Sequence, residues 1–115
     1  IAAYRTNKSK TILWEVLQYM QTHLTDSSLS LNSIAETFHM NGSYLSRTFT
    51  KELGFSFSKY LNRLRMEYAI TLLNTTDLKA YQIAEAVGIP DAYYFSNCFK
   101  KYTGTSIRDY RKGTT

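Results

Sequence analysis

Two segments about fifty residues apart carry side chains that form directional hydrogen bonds, spaced three and four residues apart. In the major groove of a DNA duplex, a guanidinium donates two hydrogen bonds to guanine and a carboxamide pairs with adenine. Carboxylates are absent from the same faces, apart from a terminal Glu52 and a capping Asp91. These residue types therefore favour the reading of base edges. The outward positions that carry these residue types are Ser43, Ser46, Arg47 and Thr50 in the first segment, and Ala92, Tyr93, Ser96, Asn97 and Lys100 in the second.

Both segments lie in a sequence repeat, and the repeat predicts the elements that position them. Ile34-Ala35-Glu36 returns as Ile83-Ala84-Glu85, and Tyr44-Leu45-Ser46 returns as Tyr94-Phe95-Ser96. From there on, the copies match at a constant offset of fifty residues. The matching pairs are Phe49 and Phe99, Lys51 and Lys101, Gly54 and Gly104, Ser56 and Ser106, and Tyr60 and Tyr110. We therefore expect a short helix, a turn, a second helix and a glycine stop, twice.

The periodicity of the apolar residues predicts an all-α fold of about seven helices. Apolar positions recur every three or four residues, and no strand alternation is present. Ser30, Asn41 and Asp91 are predicted N-caps, because their side chains accept hydrogen bonds from the first helical turn. The predicted helices span about 9–24, 31–38, 42–53, 56 or 58 to 73, 80–87, 91–102 and 106–110.

The turn in each copy and the buried faces of two helices are also predicted. His39 and Gly88 occupy equivalent turn positions, where a left-handed backbone favours glycine and is tolerated by histidine better than by most residues. Pro90 makes the second turn one residue longer. The expected buried stripes are Phe57, Leu61, Leu64, Tyr68 and Leu72 on the fourth helix, and Phe95, Cys98, Phe99 and Tyr102 on the sixth.

Charge is distributed unevenly along the 115 residues. Fourteen Lys and Arg against nine Asp and Glu give a formal net charge of +5, yet residues 1–46 hold three of each sign. The whole surplus therefore lies in residues 47–115. Such a surface favours a polyanionic partner, either nucleic acid or an anionic membrane, over a basic face that only water contacts.

Cysteine content and hydropathy indicate the setting of the chain. Cys98 is the only cysteine, so no internal disulfide can form and a reducing, cytoplasmic location is expected. No apolar run approaches the roughly 20 residues that cross a bilayer, and no secretory leader is evident. The chain begins with Ile1 rather than Met, so we expect a fragment of a longer protein. Neither a cofactor nor a metal is predicted.

A longer pattern runs through both copies. In the second copy it consists of Ile83-Ala84-Glu85, Val87-Gly88-Ile89, Asp91, Tyr94-Phe95-Ser96, Phe99-Lys100-Lys101, Gly104 and Tyr110-Arg111. The earlier part matches through Leu31, Ile34-Ala35-Glu36, Tyr44-Leu45-Ser46-Arg47, Phe49, Lys51, Leu53-Gly54, Tyr60-Leu61, Arg65, Ala69 and Leu72-Leu73. This pattern spans roughly residues 9–112 and resembles the DNA-binding domain of the AraC/XylS family. It is far more specific than a lone helix-turn-helix match.

The resemblance implies two helix-turn-helix subdomains that insert their second helices into adjacent major grooves of double-stranded DNA. By motif position it also implies the base-reading residues, which are Ser43, Ser46 and Arg47 in the first copy and Ala92, Tyr93, Ser96 and Asn97 in the second. The implied division is a leading segment or linker at 1–8, a first subdomain at 9–55, a linker helix at 56–73, a second subdomain at 74–112 and a tail at 113–115. It also implies a separate N-terminal effector, dimerisation or receiver domain outside this chain. RNA polymerase is a further expected partner.

Phosphate contacts are expected beside the base-reading residues. The expected contacts are Asn41, Tyr44, Thr50, Lys51, Lys100 and Lys101, and further cations that could contribute are Arg63, Arg65, Arg108, Arg111 and Lys112. The second copy has Asn97 where the family frequently has Arg, whereas the first copy has Arg47. We therefore expect Arg47 to discriminate between bases more than Asn97 does, and the DNA site to be non-palindromic.

Three other classes of protein fit the sequence less well. A helical protein-interaction adapter would also use amphipathic helices and ten tyrosines, but it would show no salt-dependent affinity for DNA. An enzyme would need a phosphate loop, a metal-ligand cluster or a nucleophile beside a base, and the sequence contains none of these patterns. Membrane binding through the first helix, around Trp14, would need more cations on its polar face.

Overall fold

The computed structural model describes the backbone of residues 8–113 and the side chains of residues 11–113. Within that span every regular element is an α-helix, which confirms the predicted all-α fold. The seven described helices are α1 (Lys8–His23), α2 (Leu31–Thr37), α3 (Gly42–Leu53), α4 (Phe57–Thr75), α5 (Ala80–Ala86), α6 (Ala92–Thr103) and α7 (Ile107–Gly113). The predicted leading segment, apart from residue 8, and residues 114 and 115 of the predicted tail lie outside the described residues.

The chain divides into two compact units, and one boundary falls inside α4. Among the described residues, the first unit comprises residues 8–23 together with residues 28–61. The second comprises residues 24–27 and residues 62–113. Helix α4 therefore contributes its first turns to one unit and its remainder to the other. The sequence-based division, with a separate linker helix between two subdomains, stays a prediction.

The first unit is built around Phe49, which is completely buried on α3. Its ring makes edge contacts with Phe57 at the start of α4, with 5.8 Å between ring centroids, and with Phe55 at 6.5 Å. Such edge contacts add to the free energy gained by burial. Other buried apolar side chains of this unit are Leu13, Val16, Met20, Leu29, Ile34, Ala35, Leu45 and Leu61.

The second unit has an equivalent core around Phe95 and Phe99 of α6. Both rings are completely buried, and their centroids lie 6.1 Å apart. Tyr110 of α7 meets Phe99 edge-on at 5.6 Å. Other buried side chains of this core are Met66, Ala69, Leu73, Ile83, Ala84, Val87, Ile89 and Ile107. The second half of α4 therefore shares one core with α5, α6 and α7.

The turn inside each helix pair has the backbone geometry that the sequence predicts. His39 has a φ of 55° and Gly88 a φ of 88°, so both adopt the left-handed conformation. In each copy the next N–H donates to a carbonyl five residues earlier, at 2.7 Å in the first and 2.9 Å in the second. Pro90 then adds the one extra residue expected in the second turn. Both turns thus redirect the chain in the same way.

Helix α4 extends two residues beyond its predicted end at residue 73. It continues to Thr75, where the predicted loop should already have begun. The hydroxyl of Thr75 donates to a carbonyl four residues earlier at 2.7 Å, and that of Thr76 does the same at 2.6 Å. Threonine favours turns when its hydroxyl bonds to non-helical backbone. Here both hydroxyls bond to helical carbonyls, so the helix runs two residues further before the loop at residues 76–79 begins.

The buried stripe predicted for α4 is wrong in its second half. Leu64 and Leu72 are only half-buried and Tyr68 is 37% exposed, whereas Met66 and Ala69 are completely buried. The first half of the stripe is confirmed by the burial of its two first members. A single stripe fails because the two halves of the helix belong to different units, and each half buries the face that suits its own core.

The stripe predicted for α6 also ends differently in the structure. Tyr102 is 39% exposed, and its phenol donates to the carboxylate of Glu67 at 3.0 Å. Burial, followed by this hydrogen bond, raises the pKa of Tyr102. The same carboxylate accepts a hydrogen bond from Nε of Arg63 at 3.2 Å. Cys98 is half-buried rather than fully buried. The apolar face of α6 is therefore narrower than predicted.

Arg65 of α4 fastens the loop that follows α1. Its Nε donates to the carbonyl oxygen of Leu24 at 2.8 Å, and its Nη2 donates to that of Asp26 at 2.8 Å. Partial burial lowers the pKa of Arg65, and the nearby Asp26 carboxylate opposes this shift. Arg111 likewise donates to the carbonyl of Leu78. Each guanidinium therefore holds neighbouring backbone through its carbonyls, and the expectation that these arginines contact phosphate stays a prediction.

Gly88→Ala should destabilise the protein far more than Gly104→Ala. Both glycines have a left-handed backbone, which costs an alanine about 1–2 kcal/mol. A Cβ at Gly88 would also lie 2.9 Å from the carbonyl oxygens of Leu24 and Thr25, whereas at Gly104 it would meet nothing within 4 Å. Because backbone cannot swing aside, we expect a further loss of about 2 kcal/mol. Urea unfolding measures both variants, and equal losses would contradict the steric explanation.

Arg65→Gln should lower the free energy of unfolding by about 1.5–3 kcal/mol, because charge-assisted hydrogen bonds to the loop are lost. Arg63→Gln is the matched control on the same helix. The Arg63 side chain is 57% exposed, and surface ion pairs of its kind contribute at most about 1 kcal/mol. Urea unfolding compares the two variants. Similar losses in both would mean that Arg65 does not hold the loop.

Candidate nucleic-acid interface

Helices α3 and α6, the second helix of each pair, start and stop in the same way, and we call them the recognition helices. The side-chain oxygens of Asn41 and Asp91 each accept a hydrogen bond from the N–H three residues later, at 3.0 Å in both cases. Each helix then runs for twelve residues to a left-handed glycine, Gly54 or Gly104. The predicted caps are confirmed. Identical ends place corresponding side chains on corresponding faces of the two helices.

The exposed face of α3 carries the base-reading residues predicted for the first copy. Four exposed side chains follow the spacing i, i+3, i+4 and i+7, which places them on one side of a helix. Leu45 and Phe49 are buried on the other side. We call the exposed set the α3 strip, and it consists of Ser43, Ser46, Arg47 and Thr50. Arg47 is its one charged member, flanked by hydroxyl groups.

The exposed face of α6 has the same spacing and a different chemistry. The equivalent set, which we call the α6 strip, consists of Tyr93, Ser96, Asn97 and Lys100. Tyr93 is 79% exposed, so most of its side chain is available to a partner. Ala92 is half-buried and packs against the core of the second unit. The structure therefore brings three of the four predicted base-reading residues together on this strip and turns Ala92 partly away from it.

The residues predicted to contact phosphate lie along and at the ends of the two strips. Lys51 and Lys101 are exposed in the last turns of their helices, one residue beyond the strips. Asn41 uses its side-chain oxygen in the N-cap, which leaves its amide N–H groups as donors. Tyr44 is 46% exposed near the start of α3. Each of these groups can donate a hydrogen bond to an anionic oxygen.

Tyr94 and Cys98 lie one turn apart on α6. Hydrogen bonding to the Cys98 side chain, followed by the charge interaction with Cys98 and by burial, raises the pKa of Tyr94. The phenol of Tyr94 therefore stays protonated near neutral pH and can still act as a donor. The equivalent residues of the first copy are Tyr44 and Thr48.

A concave cavity with a volume of about 630 Å³ lies beside the α6 strip, and we call it the α6 basin. It is lined by Lys79, Lys100, Arg108 and Arg111 together with Ser96 and Asn97, and none of the described residues that line it is acidic. Lys79, just before α5, is missing from the residues that the sequence singles out. The signal for it lies in the repeat, because Lys79 stands where the first copy has the capping Ser30.

Metal binding and membrane spanning would each require a recognisable feature in the described part of the chain. Within residues 8–113, no group of three or more His, Cys, Asp or Glu side chains lies close enough to hold a metal ion. None of the described helices is both long enough and apolar enough to cross a membrane. The surfaces that stand out are therefore the two strips and the α6 basin.

Comparison with known proteins decides which family has these paired helices. The family model described as "Helix-turn-helix domain" matches residues 34–113. The solved C-terminal domain of AraT, a response regulator from Geobacillus stearothermophilus, is 43% identical, with a TM-score of 0.87 over 89% of this chain and 84% of that one. The chain belongs to the AraC/XylS family. This finding confirms the resemblance seen in the sequence.

Other AraC/XylS proteins give the same picture. A solved transcriptional regulator from Chromobacterium violaceum, of the AraC-type DNA-binding domain-containing proteins, has a TM-score of 0.80 at 28% identity, over 91% of this chain and 93% of that one. The arabinose operon regulatory protein of Escherichia coli is 36% identical over 99 residues, which are 86% of this chain and 34% of that protein. The chain spans about a third of the length of the curated relatives it matches.

Exchanging the two cap residues should change DNA affinity in opposite directions. Asp91→Asn removes a carboxylate from the start of α6, and Asn41→Asp adds one to the start of α3, while both residue types cap helices about equally well. Near a phosphate backbone, each charge change is worth about 1 kcal/mol at low salt. We therefore expect tighter binding by Asp91→Asn and weaker binding by Asn41→Asp.

Fluorescence anisotropy with a labelled duplex measures both cap variants. Urea unfolding serves as the control, since losing the favourable interaction of a carboxylate with the helix N-terminus should cost Asp91→Asn only about 0.3–1 kcal/mol. Affinities that are unchanged, or that shift in the same direction in both variants, would contradict a position of these helix ends beside the DNA backbone.

Proposed function

We propose that the chain binds double-stranded DNA at a non-palindromic site, with α3 in one major groove and α6 in the next. One observation carries the proposal: both recognition helices expose a polar strip with the same spacing and without an acidic residue. A major groove admits one α-helix, and side-chain donors on that helix reach the base edges. Membership of the AraC/XylS family supports the same conclusion from independent evidence.

Base reading is assigned to the two strips, with Arg47 as the main discriminating residue. A guanidinium can bind guanine through two hydrogen bonds, and an amide such as that of Asn97 can bind adenine in the same manner. The α3 strip surrounds Arg47 with short hydroxyl side chains that leave room for close approach. Ala92 contributes less than the other assigned residues, because its methyl group is half-buried. The assigned readers are Ser43, Ser46, Arg47, Ala92, Tyr93, Ser96 and Asn97.

Phosphate contacts are assigned to donors around the strips. Lysine neutralises backbone charge and releases counterions, so these contacts add affinity without sequence preference. Amide, phenol and hydroxyl groups at the helix starts and along the strips set the register of the protein on the duplex. The assigned contacts are Asn41, Tyr44, Thr50, Lys51, Lys100 and Lys101.

The chain is further proposed to be the DNA-binding part of a longer cytoplasmic transcription regulator. Relatives named as regulators are about three times as long as the stretch that matches. An effector, dimerisation or receiver domain preceding this chain, and contact with RNA polymerase, are parts of the proposal. A non-catalytic role is proposed because the named relatives are regulators.

Selection of bound duplexes from a random pool tests the proposed function directly. The 115-residue chain should enrich an asymmetric sequence that extends over about two helical turns, one for each groove. A palindromic motif, or a motif confined to one groove, would contradict the assignment of one strip to each groove. Absence of any enrichment or of salt-dependent binding would favour the protein-interaction adapter instead.

Arg47→Ala and Lys101→Ala should separate base reading from phosphate binding. We expect Arg47→Ala to lose about 1–3 kcal/mol on the selected duplex and to relax preference at one or two base pairs. Lys101→Ala should weaken selected and random duplexes alike and should lower the slope of log affinity against log salt by about 1. Anisotropy titrations over a range of salt measure both effects. An unchanged preference in Arg47→Ala would refute its reading role.

A further inference from the structure

We infer that the α6 basin binds a phosphodiester group of the DNA backbone, with Lys79 and Arg108 as its principal contacts. The inference rests on the proposed function and deepens it. The first copy would supply most of the base discrimination, and the second copy would supply most of the affinity for the DNA backbone. Neither Lys79 nor Arg108 lies on a recognition helix, so this contact surface extends beyond the two strips.

The basin collects positive charge from three elements of the second unit. Lys79 precedes α5, Lys100 lies on α6 and Arg108 lies on α7. None of these three side chains pairs with a carboxylate within the described part of the chain. Arg111 forms part of the wall and donates to the carbonyl of Leu78. Several cations that surround one concavity repel each other until an anion enters, so the arrangement favours an anionic ligand.

The repeat supplies an internal comparison, because the first copy builds the same helices from different residues. Lys79 corresponds to Ser30 at the offset of 49 that applies before the turn, and Arg108 corresponds to Ser58 at the offset of fifty that applies after it. The residues of the first copy that are equivalent to the four cations of the basin are all neutral. They are Ser30, Thr50, Ser58 and Leu61. The shared fold therefore forms without these cations. Their presence in one copy points to a ligand.

At one base-reading position the positive charge is found in the first copy and is absent from the second. The first copy has Arg47 on its strip, and the second copy has Asn97 at the equivalent position. The arginine of the α3 strip is thus replaced by an amide in the copy that gains Lys100 on its strip and three further cations beside the strip. This exchange fits a second copy that holds the duplex mainly through its backbone, since phosphate contacts position a protein without reading sequence.

Donor geometry in the basin suits phosphate oxygens. A guanidinium such as that of Arg108 can bind phosphate through two parallel hydrogen bonds, and an ammonium adds charge without a preferred direction. The Oγ atom of Ser106 accepts the N–H of Asp109 at 3.1 Å, which leaves its own proton to donate into the basin. Because Ser96 and Asn97 line the basin as well as the strip, a bound phosphate would flank the groove that the strip reads.

Lys79→Gln and Arg108→Gln test the inference in the 115-residue chain. Each variant should weaken the selected duplex and a random duplex by the same factor, about five-fold near 0.15 M salt. The slope of log affinity against log salt should fall by about 0.9 in each single variant and by about twice that in the double variant. Lys59→Gln is the matched control, because Lys59 is an exposed lysine of the first unit and its loss changes the net charge equally. It should leave the slope unchanged.

Each outcome of this experiment decides between definite alternatives. If the salt slopes of Lys79→Gln and Arg108→Gln equal that of Lys59→Gln while duplex binding is intact, the inference is overturned. The proposed function then still stands. Absence of salt-dependent duplex binding by the unaltered chain overturns both. The last measurement is a calorimetric titration with pyrophosphate. If pyrophosphate binds saturably, Arg108→Gln abolishes this binding and the duplex slopes are unchanged, the basin binds a free phosphate compound instead. Unfolding midpoints confirm that all variants are folded.

Discussion

Burial of one phenylalanine in each recognition helix determines where every polar residue of that helix can point. Phe49 and Phe99 occupy equivalent positions, are completely buried, and each meets the ring of a tyrosine eleven residues later. Removing such a ring from a core costs about 3–5 kcal/mol. With 3.6 residues per turn, an inward ring fixes the rotation of the whole helix about its axis. The outward direction of each strip follows from that rotation, and so does the match between the two copies.

Features that depend on neighbouring residues could be predicted from the sequence. The caps at Asn41 and Asp91 need only a side chain that reaches the backbone three residues later, and the left-handed turn at Gly88 needs only a residue that tolerates it. The face of each recognition helix was predictable for the same reason, since a twelve-residue amphipathic helix has one apolar side. Ala92 is the exception, because its burial depends on the core of the second unit.

Features that depend on distant residues were not predictable. The sequence pattern of α4 suggests one stripe, but the helix packs into a different core in each half, as the burial of Met66 shows. Arg65 resembles any cation on a helix until the loop forty residues earlier folds beside it. Lys79 likewise acquires its neighbours Lys100 and Arg108 only when α5, α6 and α7 pack together. In all three cases tertiary packing, and not local preference, decides the role of the side chain.

Because of the loop at residues 24–27, the order in which the chain is synthesised differs from the order of its two units. Flanking residues on both sides of this loop belong to the first unit, yet the loop itself belongs to the second. Its carbonyls meet Arg65 and the backbone at Gly88, which are synthesised much later. A ribosome that has released the whole first unit has therefore also released a piece of the second. No cut at a single peptide bond separates the chain into its two complete units.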